Sequence, residues 1–116
     1  MKPALLQLDV NGDLLEGFSP ENKFDFRVEV TASIGLEGQG GSDYFMITVC
    51  TPSKIQEELE RNEIVISGHG LLIVSRFDYA KIESFIRGYL TGCSGETWGE
   101  ITPKLRRVFR WEFDGY

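Results

Sequence analysis

The chain has 116 residues, of which 41% are hydrophobic and 12% aromatic, so it can bury a core of its own and is not a disordered chain. Its formal net charge of −6 argues against a long polyanion such as DNA or RNA as a direct ligand. The charge is uneven along the chain. Residues 1–60 hold eleven acids and four bases (net −7), whereas residues 61–116 hold seven acids and eight bases (net +1). An acidic half favours a basic partner.

The first half of the chain predicts strands. Residues 4–10 form a short apolar segment, and the turn signal at 11–13 follows it. We therefore expect a strand over residues 4–10 and a loop after the turn. Residues 24–34 alternate apolar and polar side chains with a period close to two, which is the clearest strand pattern in the chain. The glycine-rich residues 35–43 lead into the apolar residues 44–50, and this predicts a long hairpin with a mobile tip.

The middle of the chain predicts a short helix and two strands. A proline in the first turn and early acidic residues predict a helix over residues 54–62, with Ile55 and Leu59 facing the sheet. Residues 64–66 and 71–74 are apolar and rich in β-branched side chains. They predict two core strands joined at a bend.

The last part of the chain predicts two helices and a final strand. Apolar residues recur at helical spacing over 77–90, after Asp78 as N-cap, and predict an amphipathic helix. A last helix over residues 98–108 would be kinked or divided at Pro103, because proline lacks the amide donor and clashes with the preceding turn. Residues 109–114 alternate again and predict an edge strand.

The cysteines and the start of the chain indicate the compartment. Cys50 and Cys93 do not have the dense spacing of a secreted disulfide framework, which favours a reducing environment. Asp9 comes too early for the apolar core of a signal peptide, and no window reaches the length of a membrane span. We therefore expect a soluble, cytoplasmic protein that forms a single domain over residues 1–116.

Candidate catalytic residues are few. His69, the one histidine, lies between two glycines, where a structural hydrogen bond is favoured over a role as general base. Together with Cys50 and Cys93 it would supply at most three zinc ligands, without the close pairs of a zinc site. Cys50 lies in an apolar run, where the ordinary role of a cysteine is that of a small buried hydrophobic residue. We expect no catalytic centre, no metal and no cofactor, and a small hydrolase using His69 and Cys93 is the least favoured alternative.

The glycine cluster and the paired acids have non-catalytic explanations as well. A phosphate-binding loop leads into a helix, but residues 35–41 lead into a strand, and the loop carries Glu37 and Asp43, which would repel phosphate. Acids such as Glu57 and Glu58 are explained by a solvated helix face, with a partner-binding surface as the alternative.

Two tryptophan-bearing segments carry a family resemblance. Gly-Glu-Thr-Trp at 95–98 and Trp-Glu-Phe-Asp-Gly-Tyr at 111–116, together with the upstream strands and the helix after Asp78-Tyr79, are similar to the immunity protein 8 family. The resemblance covers nearly the whole chain. It implies an α+β protein from a bacterial polymorphic toxin or contact-dependent growth inhibition system, which binds a cognate toxin C-terminal domain inside the producing cell.

These observations combine into one prediction. We expect an α+β fold with a mainly antiparallel sheet of about five or six strands and two or three helices largely on one face. The predicted function is neutralisation of a toxin, for example a nuclease, by occlusion of its active surface, and a non-catalytic adaptor or regulatory subunit is the main alternative. The predicted toxin-binding residues are Glu37, Asp43, Glu96, Trp111, Glu112, Asp114 and Tyr116.

Overall fold

A computed structural model describes residues 1–61 and 65–114 of the chain. It confirms the α+β fold, with six strands and three helices among these residues. The strands are β1 Pro3–Val10, β2 Asp13–Leu14, β3 Arg27–Leu36, β4 Asp43–Cys50, β5 Leu71–Ile73 and β6 Arg110–Trp111, and the helices are α1 Pro52–Arg61, α2 Tyr79–Leu90 and α3 Trp98–Leu105.

The sheet is mainly antiparallel and has the order β2-β1-β3-β4-β5. β5 runs parallel to β4 and pairs with residues 48–50, whereas β6 is antiparallel and pairs with Phe45 and Met46. Both strands therefore share the edge of β4 that faces away from β3. The β1–β2 hairpin turns at Asn11 and Gly12, which have φ values of 52° and 84°. Positive φ at both turn positions matches the right-handed twist of the flanking strands.

One face of the sheet carries the core. Alternate residues of β3 and β4, such as Val30 and Ile47, are fully buried, and the same cluster takes in side chains from α2 and α3. The predicted N-cap of α2 is present, since Asp78 accepts from the Lys81 amide, and Thr97 caps α3 in the same way by accepting from the Glu100 amide. The prediction that the helices lie largely on one face holds for α2 and α3.

Helix α1 differs from the other two, because none of its residues is buried. Ile55 and Leu59, predicted to face the sheet, are half-buried and do not belong to the core cluster. A salt bridge of 2.9 Å joins Glu58 to Arg27, which alternates with the core-facing positions of β3. Asn62, the predicted end of this helix, lies outside the described residues.

Three predicted elements are corrected by the structure. The predicted strand at 64–66 is wrong at Val65 and Ile66, which are not in a strand, and Val65 is 77% exposed. Ile64 lies outside the described residues. The outer edge of β4 is taken by β5 and β6, and Val65 and Ile66 do not pair with β5. The physical reason is that β-branched residues favour a strand where they pack on a sheet, whereas Val65 remains exposed.

The C-terminal elements are also shorter than predicted. Helix α3 ends at Leu105 and is one continuous helix through Pro103 rather than two pieces. Pro103 has no amide to donate to the carbonyl of Gly99. Because Gly99 and Pro103 are both exposed, this carbonyl remains accessible to water and the helix can continue. The final strand, predicted over 109–114, is limited to Arg110–Trp111, because a turn follows at residues 112–114.

Candidate protein-binding surface

One carboxylate holds the C-terminal elements to the sheet. Asp43 Oδ2, at the start of β4, accepts hydrogen bonds from Trp98 Nε1 at 3.0 Å and Trp111 Nε1 at 3.1 Å. Trp98 is the first residue of α3 and Trp111 lies in β6, so a single side chain joins three elements. Each bond has an ionised acceptor and is therefore stronger than a hydrogen bond between neutral groups.

Aromatic rings surround this carboxylate. The fully buried Phe45 packs edge-on against Trp98 at 6.2 Å between ring centroids and is stacked on Trp111 at 6.4 Å. Trp111 in turn meets Phe113 edge-on at 5.1 Å, and Phe113 is 47% exposed. The cluster therefore extends from the core to the surface.

Polar contacts fix the segment after β6. The Arg106 guanidinium lies 5.5 Å from the ring centroid of Trp111 and forms a salt bridge of 2.6 Å with Asp114. Asp114 also accepts a hydrogen bond of 2.9 Å from the Trp111 amide. The Glu112 carboxylate accepts from the amide of Tyr44, and the Glu112 amide donates to the Tyr44 carbonyl at 3.0 Å. These contacts order the chain up to Asp114.

The glycine hairpin between β3 and β4 lies beside the same cluster. A Cβ added at Gly35 would lie 2.3 Å from the carbonyl oxygen of Gly41, so the close approach of these two backbones requires glycine. Gly38 and Gly41 have φ values of 80° and 87°, which favour glycine as well. A depression of about 410 Å³ lies between the hairpin and Trp98.

The N-terminus brings two exposed acids to this region. The Glu37 amide donates to the Lys2 carbonyl at 2.9 Å, and the Gly95 amide donates to the Met1 carbonyl at 3.0 Å. Glu37 and Glu96 therefore flank the first two residues, and both are exposed. We call residues 36–44, 94–98 and 111–114 together the glycine-hairpin end.

The chain matches a known protein family. The family model described as immunity protein 8 matches residues 4–116. The chain belongs to the immunity protein 8 family. No curated protein and no solved structure matches the chain. The match confirms the predicted resemblance. Membership of this family implies that the partner protein is a toxin.

Six of the seven residues predicted for toxin binding lie at the glycine-hairpin end of this immunity protein 8 chain. Glu37 and Glu96 are exposed, whereas Asp43 and Asp114 are engaged in contacts within the chain. The seventh, Tyr116, lies outside the described residues. The structure groups these residues, but their contact with a toxin stays a prediction.

Sequence reasoning missed two exposed rings at this end, Tyr44 and Phe113. Tyr44 is 52% exposed, because in β4 it alternates with the core-facing Phe45 and Ile47. The alternation of β4 therefore indicates from the sequence that the ring of Tyr44 faces solvent. Phe113 could be recognised only from the turn at 112–114, because the alternating pattern predicted that it would continue a strand.

The three candidate catalytic residues have structural contacts. The His69 Nε2 atom lies 2.8 Å from the carbonyl oxygen of Arg106, the C-cap residue of α3. Burial raises the pKa of the Cys93 thiol, which donates to the Tyr89 carbonyl at 3.4 Å, and burial also raises the pKa of Cys50. Raised thiol pKa values disfavour the thiolate that nucleophilic catalysis requires.

Two absences concern residues 1–61 and 65–114, the part of the chain that the structure describes. Within this part of the chain no group of three or more histidine, cysteine, aspartate or glutamate side chains could hold a metal ion. None of the helices there has the length and apolar character needed to cross a membrane.

Proposed function

We propose that this member of the immunity protein 8 family neutralises a cognate toxin C-terminal domain by binding it with the glycine-hairpin end and covering its active surface. Membership of the family supports an immunity protein with a toxin as partner. Binding would take place inside the producing cell, before the toxin is exported. The mode of inhibition is stoichiometric occlusion, which needs no catalytic group on this chain.

The observation that carries the proposal is the combination of exposed rings and exposed acids on a rigid support. Tyr44 and Phe113 present large apolar surfaces, and Glu37 and Glu96 are exposed acids at the same end of the sheet. The Asp43 carboxylate holds Trp111, and Trp111 packs against Phe113, so this ring is positioned before a partner arrives. Interfaces draw most of their energy from a few anchored aromatic residues, and little is lost to ordering when the anchors are preorganised.

The charge of the chain suits a basic toxin surface. A nuclease active site that binds phosphate is basic, so an acidic protein would be steered towards it and would then compete with nucleic acid for the same surface. A nuclease is therefore the toxin class that we propose. The net charge of −7 over residues 1–60 is the source of this steering.

Two other functions remain as alternatives to toxin neutralisation. An adaptor or regulatory subunit would use the same kind of surface and differs only in its partner. A hydrolase using His69 and Cys93 is disfavoured, because the buried thiol has a raised pKa and the imidazole contacts a helix-terminal carbonyl. If His69→Ala still protects cells, the hydrolase reading fails, and if it abolishes protection by a folded chain, the binding proposal fails.

A charge-reversal experiment tests the proposed surface. The toxin probe is the protein encoded by the neighbouring gene, and it is co-expressed with each variant. We expect the double variant Glu37→Lys/Glu96→Lys to weaken binding by about 10- to 100-fold and to reduce rescue of growth, since rim charges contribute mainly through electrostatic attraction. Affinity is measured by titration calorimetry or surface plasmon resonance.

The matched control is Glu21→Lys/Glu60→Lys, which changes the net charge by the same amount. Both control residues are exposed and lie near the Cys50 end of β4, away from Asp43. The control should bind within about twofold of the original chain, apart from a small long-range effect. Equal losses in both double variants would contradict the proposed location, and a chain that neither co-purifies with the toxin nor restores growth would contradict the function.

A further inference from the structure

One edge of the sheet is only partly covered. β1 pairs with β3 along one side, whereas on the other side β2 covers only Asp9 and Val10. The Met1 carbonyl accepts from the Gly95 amide, which covers the beginning of the chain. Among the described residues, no strand pairs with the outer edge of residues 3–8. This stretch spans about 20 Å at 3.3 Å per residue.

A groove runs along this uncovered edge, between β1 and α2. It consists of two depressions, of about 240 Å³ and about 360 Å³, which meet at Arg87 and share Leu5. Leu6 and Leu14 line the first depression and are 57% and 56% exposed. Leu6 is the extra residue of a register shift in β1, so its side chain is available outside the regular pairing with β3.

The groove has an excess of one negative charge among its charged lining residues and continues into the proposed toxin-binding surface. Glu16 and Glu83 line the first depression, and Glu37 lines the second together with Lys2. Glu83 and Arg87 offset each other in a salt bridge of 3.4 Å, so the excess charge comes from the other acids. Asp9 and Asp13 lie at the β1–β2 end and add negative charge. Because Glu37 also belongs to the glycine-hairpin end, a partner bound there can extend into the groove without a second docking event.

We propose that the toxin domain supplies an extended segment of about five residues that pairs with residues 3–8 of β1 and extends the sheet. Alternate side chains of this segment are apolar and enter the two depressions, and its remaining side chains include lysine or arginine, which face the acids. The proposal rests on the proposed function and specifies the partner's conformation. Unpaired backbone groups along an edge bind a strand, whereas a helix would leave them unpaired.

The direct test is residue-level hydrogen exchange by NMR, on the full chain alone and in complex with the purified toxin domain encoded by the neighbouring gene. In the free chain, those amides of residues 4–8 that point away from β3 should exchange rapidly. In the complex they should be protected by at least about 100-fold, because each becomes part of an antiparallel or parallel ladder. An unprotected β1 in a complex that does form would overturn this inference and leave the proposed function intact.

A matched pair of variants tests the same edge by affinity. Leu6→Lys places a cation in the groove and should weaken binding by about tenfold or more, since it removes an apolar contact and repels a basic segment. Ile73→Lys is the control, because Ile73 is also 57% exposed but lies in β5 at the other side of the sheet. The control should bind within about twofold of the original chain, and the thermal midpoints of both variants show that they remain folded.

The remaining outcomes discriminate between occupants. If Leu6→Lys and Ile73→Lys bind equally well, the edge is not used and the inference fails. Concentration-dependent protection of residues 4–8 in the free chain would identify a second copy of this chain as the occupant and would also overturn it. The absence of any complex with the original chain overturns the proposed function itself, which separates that failure from the failure of the edge pairing.

Discussion

At the scale of single residues, Asp43 has a role that differs from the one its sequence position suggested. It lies at the end of a glycine-rich loop, where an exposed partner-binding acid was predicted, but its carboxylate accepts from two indoles. The partners are 55 and 68 positions away in the chain, so no local pattern could indicate them. Asp43 therefore holds Trp98 and Trp111 in place.

Asp43→Ala should lower the free energy of unfolding by about 2–3 kcal/mol, because it leaves two indole donors without their charged acceptor. Trp98→Phe and Trp111→Phe should each cost about 1 kcal/mol or more, as ring size and a hydrogen bond are lost. Urea denaturation measures these values. In the Asp43→Ala background the tryptophan substitutions should cost less than in the original chain, and full additivity would contradict the shared acceptor.

The cysteine thiols predict how stability depends on pH. Burial raises the pKa of Cys50 and Cys93 above the ordinary value of 9.0, so the folded chain keeps protons that the unfolded chain loses. This contribution to stability is fully present below pH 9.0 and is lost as pH rises from 9.0 through the higher folded pKa. The free energy of unfolding should therefore fall above pH 9.

Cys93→Ser removes this titration and keeps a donor for the Tyr89 carbonyl. Urea denaturation at pH 8 and at higher pH should show a smaller loss of stability for this variant than for the original chain. Tyr89 and Tyr79, whose pKa values burial also raises from 10.0, contribute a further loss at still higher pH in both proteins. Identical pH profiles would contradict the assignment to Cys93.

At the scale of secondary structure, the glycine hairpin depends on a single close approach. Gly35→Ala places a Cβ 2.3 Å from the carbonyl oxygen of Gly41, and the backbone of β3 or β4 must move. We expect a loss of about 2–3 kcal/mol in the free energy of unfolding. Gly40→Ala is the control, because nothing lies within 4 Å of its added Cβ, and it should change stability by less than about 0.5 kcal/mol. Comparable losses would show that the approach is not restrictive.

The elements also show where local sequence is a sufficient guide. Alternation predicted β3, and helical spacing with an aspartate N-cap predicted α2, because each element presents one apolar face to the same core. The predicted strand at 64–66 failed at Val65 and Ile66, because β-branched residues favour a strand only where they pack on a sheet, and Val65 remains exposed. The final strand was predicted too long because its end depends on the turn at residues 112–114.

At the scale of the whole molecule, the uneven charge predicts how association with a toxin depends on salt. Glu29 and Glu57 form salt bridges with Arg110 and Arg61, which lie outside residues 1–60, so the acidic half is less negative in effect than its composition suggests. Glu37 and Glu96 remain exposed at the glycine-hairpin end. Raising the salt concentration from about 0.05 M to about 0.5 M should lower the association rate constant by about tenfold or more, with a smaller change in dissociation.

Stopped-flow mixing with the toxin domain measures this dependence. The Glu37→Lys/Glu96→Lys variant should associate more slowly and show a shallower salt dependence, since it has fewer attractive charges to screen. An association rate that does not respond to salt would indicate that the apolar residues, such as Tyr44 and Phe113, carry the encounter as well as the bound state.

The sequence alone determined the α+β class, the main strands and helices, and the resemblance that the family match confirmed. These depend on the spacing of apolar residues, on capping residues and on rare tryptophans, all of which are visible along the chain. Only the tertiary structure decided that Asp43 binds Trp98 and Trp111, that the predicted acids gather at one end, and that no described strand pairs with the outer edge of β1 at residues 3–8. Such features arise from contacts between distant segments, and a local pattern does not encode which segments will meet.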